Sequence, residues 1–439
     1  MRRRRFNWAL SATMGGFAFG YQLAVIAGAL LFVRRDLGLS DLEQGVLVSI
    51  MPLGAMAGGL VAGRLADALG RRATLLADAV VLILGTALTV VAGGLVLLLA
   101  GRVIVGLGVG IASSTVPLYL AEIASPERRG RLVTTNQLMI TVGIVAAYCV
   151  DLAFAGSGSW RAMFAVGLLP GAALLAGMLR APESPAWIEA RGHREEAAPA
   201  GAGAGPAHPL LRAPGVRPAL VIALTLAAAQ QWSGINAIVS YVPHIMQHTG
   251  LNASNSILAS ILVGVVNVAA TIVSVRLVDR RGRRPLLLAS FLAMSGALTL
   301  LGITDLVHLG SAESWLALAC IVVYIAAFAA GVGPIFWVLI SEIFPPRARA
   351  AGAGAATAAN WFWTVVVSLA FLPLSQALGT GATFLLFGAV CAAALVFVDR
   401  YVPETKGREF AEIEAEVRER WFARGTGRPR SAFRTHPHG

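Results

Sequence analysis

GRLADALGRR, residues Gly63–Arg72, and VRLVDRRGRR, residues Val275–Arg284, are two versions of one phrase. In each, an aspartate is followed by a glycine and then by two arginines at the same spacing, and in each the phrase separates two long apolar runs. A second pair follows the same plan: AEIASPERRG at Ala121–Gly130 and SEIFPPRARA at Ser341–Ala350. Matched punctuation at matching places reads as a duplication, and parallel duplication of helical halves about an axis along the membrane normal is an architecture of membrane transporters.

The runs between these phrases are long enough for that reading. The chain has 439 residues, of which 57% are hydrophobic and 13% charged, and its mean hydropathy is +0.73. Soluble domains carry about 25% charged residues. About twelve apolar runs, from residues 7–32 to residues 380–401, can each cross roughly 30 Å of hydrocarbon as a helix. The expected fold is an all-α membrane protein with twelve transmembrane helices in two pseudo-symmetric six-helix bundles. Its expected parts are a first bundle at residues 1–180, a linker at 181–217, a second bundle at 218–401 and a tail at 402–439. The linker is rich in Ala, Gly and Pro and reads as a flexible tract.

Net charge is +12. The basic residues stand in short clusters between apolar runs, at Arg2–Arg5, Gly70–Arg72, Glu127–Arg131, Asp279–Arg284 and Pro345–Arg349. That distribution excludes a nucleic-acid surface and orients the chain in a cell membrane with both termini cytoplasmic, against a minority of arginines (Arg34, Arg35 and Arg161) on the other face. The basic start followed by an apolar run reads as a first span, since the run is long and no small-residue cleavage site follows it. Cys149, Cys320 and Cys391 lie within spans without metal spacing and read as packing residues. No nucleophile, base and acid converge, so an enzyme is disfavoured, and neither a cofactor nor a metal is implied.

The paired loops also carry chemistry. Asp67 with Arg71 and Arg72, and Asp279 with Arg283 and Arg284, can pair across tight turns; Glu122 and Glu342, at span ends, can be met by Arg129 and Arg349. Together they read as a cytoplasmic latch.

Five further stretches resemble the sugar porter family of the major facilitator superfamily: GRVIVGLGVG at Gly101–Gly110, PLYLAEIASPERRGRLVTTNQL at Pro117–Leu138, PESPAW at Pro182–Trp187, QQWSGIN at Gln230–Asn236 and PETKG at Pro403–Gly407. The resemblance implies an alternating-access carrier of a monosaccharide or similar polyol, acting as a monomer in the lipid bilayer. It also implies that Gln137, Gln230, Gln231, Asn236, Asn267, Trp337 and Asn360 stand where family members bind sugar. The chemistry of these residues agrees. Uncharged amides both donate and accept, so they satisfy hydroxyls without the desolvation cost of charges, while an aromatic such as Trp337 or Trp361 can cover the apolar face of a sugar ring. A lone amide in a span can instead join helices. Gln230 and Gln231 point about 100° apart on a helix, so both face one cavity only if the helix is broken, and Gly234 supplies the means. GVGPIFW, at Gly331–Trp337, marks a second bend, and these two spans are the expected gates. The chain departs from the family at Phe336, where a second proline is frequent, at Ala186, where a basic residue is frequent, and in its linker.

A departure of another kind concerns Gln22, in FGYQLAVIAGAL at Phe19–Leu30. Proton-coupled sugar porters usually carry an aspartate at the corresponding place, near an arginine that corresponds to Arg102. Gln22 cannot titrate, and facilitative glucose transporters also carry an amide there, so the resemblance implies a uniporter. The alternatives are a proton symporter that uses Asp78, Glu122 or Asp151, and a sugar sensor, which the short tail disfavours. Asp78 and His244 match no family motif and read as near an interface or locally satisfied rather than functional.

Overall fold

The computed structural model describes residues 2–123, 129–185, 187–189, 216–248, 251–307, 311–345, 348–408 and 410–422. Among them are helices and no strands, and twelve stretches are long and apolar enough to cross a membrane. In chain order the spans are Trp8–Asp36, Asp41–Leu69, Arg71–Val90, Leu95–Ile123, Thr135–Ala155, Trp160–Arg180, Arg217–Gln247, Ala253–Val278, Arg283–Val307, Glu313–Ile340, Gly352–Leu378 and Thr380–Tyr401. They are called spans 1 to 12 below. The chain is an all-α membrane protein of two pseudo-symmetric six-helix bundles.

The duplication is visible in the packing. Span 1 packs on span 5, span 2 on span 4 and span 3 on span 6; six spans later, span 7 packs on span 11, span 8 on span 10 and span 9 on span 12. The two halves meet where span 2 lies against span 11 and span 5 against span 8. Spans 2 and 4 approach through Gly54, Gly58, Gly106 and Gly110, where a side chain on any of the four would meet the opposing backbone. Such close approach is how helices associate where lipid is as apolar as leucine. Large apolar side chains such as Leu84, Leu169, Leu292 and Val307 remain exposed on the outer surface, where hydrocarbon solvates them. Cys320 and Cys391 are buried as expected of packing residues, but Cys149 is exposed.

Helix starts follow local chemistry. Ser40 caps span 2 in a reciprocal capping box with Glu43, and the Asn252 side chain accepts from the Asn255 N–H at 2.8 Å to open span 8. Three spans are interrupted. Span 6 is offset at Gly167, between helices Trp160–Val166 and Leu168–Arg180. Span 7 divides into Arg217–Trp232 and Ile235–His248, with Gly234 at φ +88° between them. Span 10 runs as α-helix over Ser311–Ala327, as π-helix over Phe328–Val332 and as α-helix again over Gly333–Glu342. The bends expected of spans 7 and 10 are therefore a sharp break and a π turn. A further helix, Phe410–Phe422, packs on spans 7 and 12 where the sequence reading placed only a tail.

The bonds that join the halves gather at the ends of the spans opposite the linker. Arg34 donates to Gln247 at 3.3 Å, Gln376 donates to Asp41, and the Tyr148 hydroxyl donates to the Val239 carbonyl at 2.8 Å. Nearer the middle, the Phe19 and Trp361 rings lie 5.7 Å apart. Among the described residues, the hydrogen bonds between the halves thus lie towards the face away from the linker.

Gly234 is constrained both by its backbone and by its neighbour. Its φ lies in the left-handed region, and a Cβ there would sit 2.5 Å from the Phe387 ring. Gly234→Ala is expected to destabilise the purified protein by about 2 kcal/mol or more, read as a fall in thermal midpoint, with Gly379→Ala, where the added Cβ meets open space, showing a smaller loss.

Candidate functional site

The break in span 7 gathers amides. Gln230 and Gln231 end the helix before it, and the Ser233 hydroxyl donates back to the Gln230 carbonyl at 2.6 Å. The Tyr324 hydroxyl of span 10 donates to the Ser233 carbonyl at 2.9 Å and braces the turn. Beyond it, Asn236 donates to the Gln231 Oε1 at 2.6 Å and to the Thr364 hydroxyl of span 11 at 3.4 Å. Gln231 Nε2 donates to the Asn360 Oδ1 at 3.1 Å, while Asn360 Nδ2 donates to the Gln230 Oε1 at 2.5 Å. Gln230 Nε2 reaches span 10, donating to the carbonyls of Val332 and Gly333 at 3.1 and 3.4 Å. Four amides and a threonine from spans 7 and 11 thus form one network free of charge, buried except at the half-buried Asn236. Next to Asn360, the Trp361 indole N–H is buried without an acceptor. Every member of the network can exchange a protein partner for a hydroxyl.

Of the seven expected binding residues, Gln230, Gln231, Asn236 and Asn360 come together. Gln137 lies half-buried on span 5, and Asn267 lies half-buried on span 8, where its carbonyl accepts from the Thr271 hydroxyl at 2.8 Å. Trp337 is 39% exposed and edge-on to the buried Phe336. Thr364 was missed by sequence reading; its place one helical turn after Asn360 was the available signal.

A second polar cluster lies in the first half. Gln22 is 1% exposed. Its Oε1 accepts from Arg102 Nη1 at 3.4 Å, its carbonyl accepts from Arg102 Nη2 at 3.1 Å, and its Nε2 donates to the Thr86 hydroxyl at 2.8 Å. That hydroxyl spends its own proton on the Leu82 carbonyl at 2.7 Å. The position therefore needs an acceptor on one side and a donor on the other, which an amide provides and a carboxylate does not. Arg102 completes its surroundings with the Met51 sulfur at 3.2 Å and the Phe164 ring at 5.5 Å. No carboxylate among the described residues pairs with it.

Three acids were named as alternative proton carriers. Glu122 is engaged by Arg71. Asp151 is buried and accepts one bond, from the Gly28 N–H at 3.1 Å, leaving Oδ1 without a partner. Asp78 is 0% exposed and neither of its oxygens has a hydrogen-bond partner among the described residues, which corrects the reading that it is locally satisfied.

At the linker face the paired loops form two matched knots. Arg71 places its guanidinium on Glu122 at 3.0 Å and on Asp67 at 3.2 Å; Arg283 places its own on Glu342 at 2.9 Å. Glu122 is thus held by Arg71, a pairing the sequence reading did not foresee. The side chains of Arg129, Asp279 and Arg349 lie outside the described residues. Each knot contains a further acid that sequence reading left out of the latch. Glu183 accepts the N–H groups of Arg71 and Arg72, and Glu404 accepts those of Arg283 and Arg284, all at 2.9–3.1 Å. Each acid thus stands at the N-terminus of a span, where a negative charge is favoured. The adjoining hydroxyl completes the pattern: Ser184 donates to Glu122, and Thr405 to Glu342 at 2.6 Å. Gly70 and Gly282 admit these carboxylates, since a Cβ would lie 2.3 or 2.5 Å from an acid oxygen. Arg72 caps the carbonyls of Met178 and Leu179, while Arg284 bonds Asp399. The signal for the missed acids was PES after span 6 and PET after span 12, a third repeated phrase.

Comparison with known proteins agrees with this anatomy. The pattern of the family described as sugar (and other) transporter matches residues 8–202 and 200–417. The glucose transporter GlcP of Staphylococcus epidermidis is 37% identical over 445 residues, covering 97% of this chain and 100% of the relative. The galactose-proton symporter of Escherichia coli is 34% identical over 432 residues, covering 92% and 93%. A partially occluded inward-open structure of the xylose transporter XylE from E. coli superposes with a TM-score of 0.80 at 29% identity, covering 93% of this chain and 100% of that one. The chain belongs to the sugar porter family of the major facilitator superfamily, a family of transporters and not of enzymes.

The knots carry a pH signature. Burial pushes the Glu404 carboxyl up, but the N–H groups of Lys406, Arg283, Arg284 and Thr405 outweigh it and hold the group below its ordinary value of 4.5. A lowered folded-state value adds stability that is present above 4.5 and lost as pH falls through the folded value. Glu404→Gln is therefore expected to lower the thermal midpoint near neutrality, with the difference from wild type closing in acid.

Proposed function

We propose that the protein carries a monosaccharide down its gradient as a facilitative uniporter. In this reading the halves at residues 1–180 and 218–401 rock about the amide network, joined by the linker at 181–217, in a monomer of the cell membrane with both termini, and so the tail at 402–439, cytoplasmic. The named relatives carry glucose, galactose with a proton, and xylose, which supports a monosaccharide as cargo. Gln137, Asn267 and Trp337 would join Gln230, Gln231, Asn236 and Asn360 around it, with Arg129, Asp279 and Arg349 completing the latch.

The observation that carries uniport is the fit of Gln22 between a donor and an acceptor. Arg102 has a neutral neighbour in every state, so its surroundings do not change with a proton. In proteoliposomes, sugar is expected to equilibrate without accumulating, and an imposed pH gradient is expected to leave uptake unchanged. Accumulation driven by the gradient would exclude uniport. Gln22→Asp puts a titratable group beside Arg102, and its exchange rate is expected to vary across about pH 5.5 to 8 while that of the wild type stays flat.

A second reading, proton symport, is favoured by one observation. Asp78 and Asp151 are buried carboxyls in spans, with three of their four oxygens unpartnered, and intramembrane carboxyls mark proton pathways in carriers. Asp78→Asn and Asp151→Asn separate the readings: both leave a uniporter's pH-flat exchange in place.

The cargo is tested at Asn360, whose amide bonds both Gln230 and Gln231. Asn360→Ala is expected to weaken monosaccharide binding by about ten- to a hundredfold, the equivalent of about 1–3 kcal/mol for polar groups left unmet. Titration of the purified protein measures it.

A further inference from the structure

The π turn of span 10 is held by side chains from two other spans. Pro334 has no N–H, so the Ala330 carbonyl lacks the helical donor four residues on. The hydroxyl of Ser274, from span 8, donates to that carbonyl at 3.0 Å. Two residues further along, the carbonyls of Val332 and Gly333 accept from Gln230. On a third side, Gly331 lies so close to span 9 that a Cβ would fall 2.0 Å from the Ser290 hydroxyl. Below this point, helix Gly333–Glu342 ends on the acid held by Arg283 and Thr405.

The two donors differ in what else they do. Ser274 is 1% exposed and, among the described residues, its hydroxyl bonds only to span 10. Gln230 also belongs to the amide network, where its Oε1 accepts from Asn360 and Gln231. A cargo hydroxyl that takes Gln230 Nε2 withdraws a donor from Val332 and Gly333 but leaves Ser274 on Ala330.

We infer that Ser274 is a positioning residue of the transport cycle: it pins the π turn at Ala330, so that exchange of Gln230 between cargo and the Val332 and Gly333 carbonyls swings helix Gly333–Glu342 about a fixed point. This inference rests on the monosaccharide reading for its cargo, while the pin itself does not depend on the cargo.

The experiment compares wild type, Ser274→Ala and Ser274→Thr in two assays. Without sugar, hydrogen–deuterium exchange over residues 330–338 is expected to quicken about tenfold in Ser274→Ala, from the loss of a buried hydrogen bond, and to return towards wild type in Ser274→Thr. In proteoliposome counterflow with glucose, xylose and galactose as probes, Ser274→Ala is expected to keep its half-saturating sugar concentration within about twofold and to lose about tenfold in maximal rate, with Ser274→Thr restoring the rate. Unchanged hydrogen exchange in Ser274→Ala overturns the pin whatever the cargo. Faster exchange with a wild-type maximal rate, or a threonine variant that restores neither quantity, also overturns it. If wild type carries none of the probes, the monosaccharide reading fails and the Gln230 exchange falls with it, while hydrogen exchange still decides for or against the pin.

Discussion

A polar group at membrane depth is costly unless protein, cargo or a water-filled cavity meets it. That constraint makes the few polar side chains of this chain informative. Gln230, Gln231, Asn236 and Asn360 meet it by bonding to one another, in an arrangement that neutral hydroxyls can enter without stranding a charge. Arg102 meets it at its two terminal nitrogens with an amide oxygen, a carbonyl and a sulfur, and with an aromatic face, while its Nε has no partner among the described residues. A buried cation with no carboxylate beside it is costly.

The duplication is kept most closely at the linker face. In each half an arginine joins the acid at the end of the fourth helix of that half, and an acid after the sixth helix takes the N–H groups of the third. The knots tie loops to helix ends within one half and so favour movement of each half as a body. The interior departs from this symmetry. Span 1 is continuous where span 7 is broken, and span 4 is a continuous helix where span 10 makes a π turn. Yet a glutamine joins each equivalent pair: Gln22 links span 1 to Arg102 on span 4, and Gln230 links span 7 to the carbonyls of span 10. In the first half the glutamine meets a guanidinium on an uninterrupted helix. In the second it meets the weak point of a bent one, and there it also belongs to the network that faces the cargo in the proposed cycle.

What was legible in the sequence is what period, length and repetition can carry. Apolar runs of membrane length set the fold class, because only closed hydrogen bonding lets a backbone cross lipid. The repeated loop phrases revealed the two halves, and Gly234 beside two glutamines announced a break, since adjacent residues on an intact helix cannot face one cavity. Gln22 announced an untitratable position. Partners were less legible, because they come from distant parts of the chain. Thr86 and Met51 contribute to the Gln22 and Arg102 cluster from two different spans, neighbours that no spacing specifies. Glu122 takes Arg71, from another loop, as a partner that its own stretch of sequence does not specify.

The sequence by itself determined that this chain crosses the membrane about twelve times in two related halves with neutral amides in the crossing segments, because hydrophobic length, duplication and residue chemistry are local properties. Only the tertiary structure decided which amides share a network, that Asp78 lies buried with neither oxygen met, and that Ser274 supplies the Ala330 carbonyl with a donor in place of the one Pro334 lacks. Those are relations between spans, and they exist only once helix packing has brought distant side chains within the roughly 3 Å that a hydrogen bond requires.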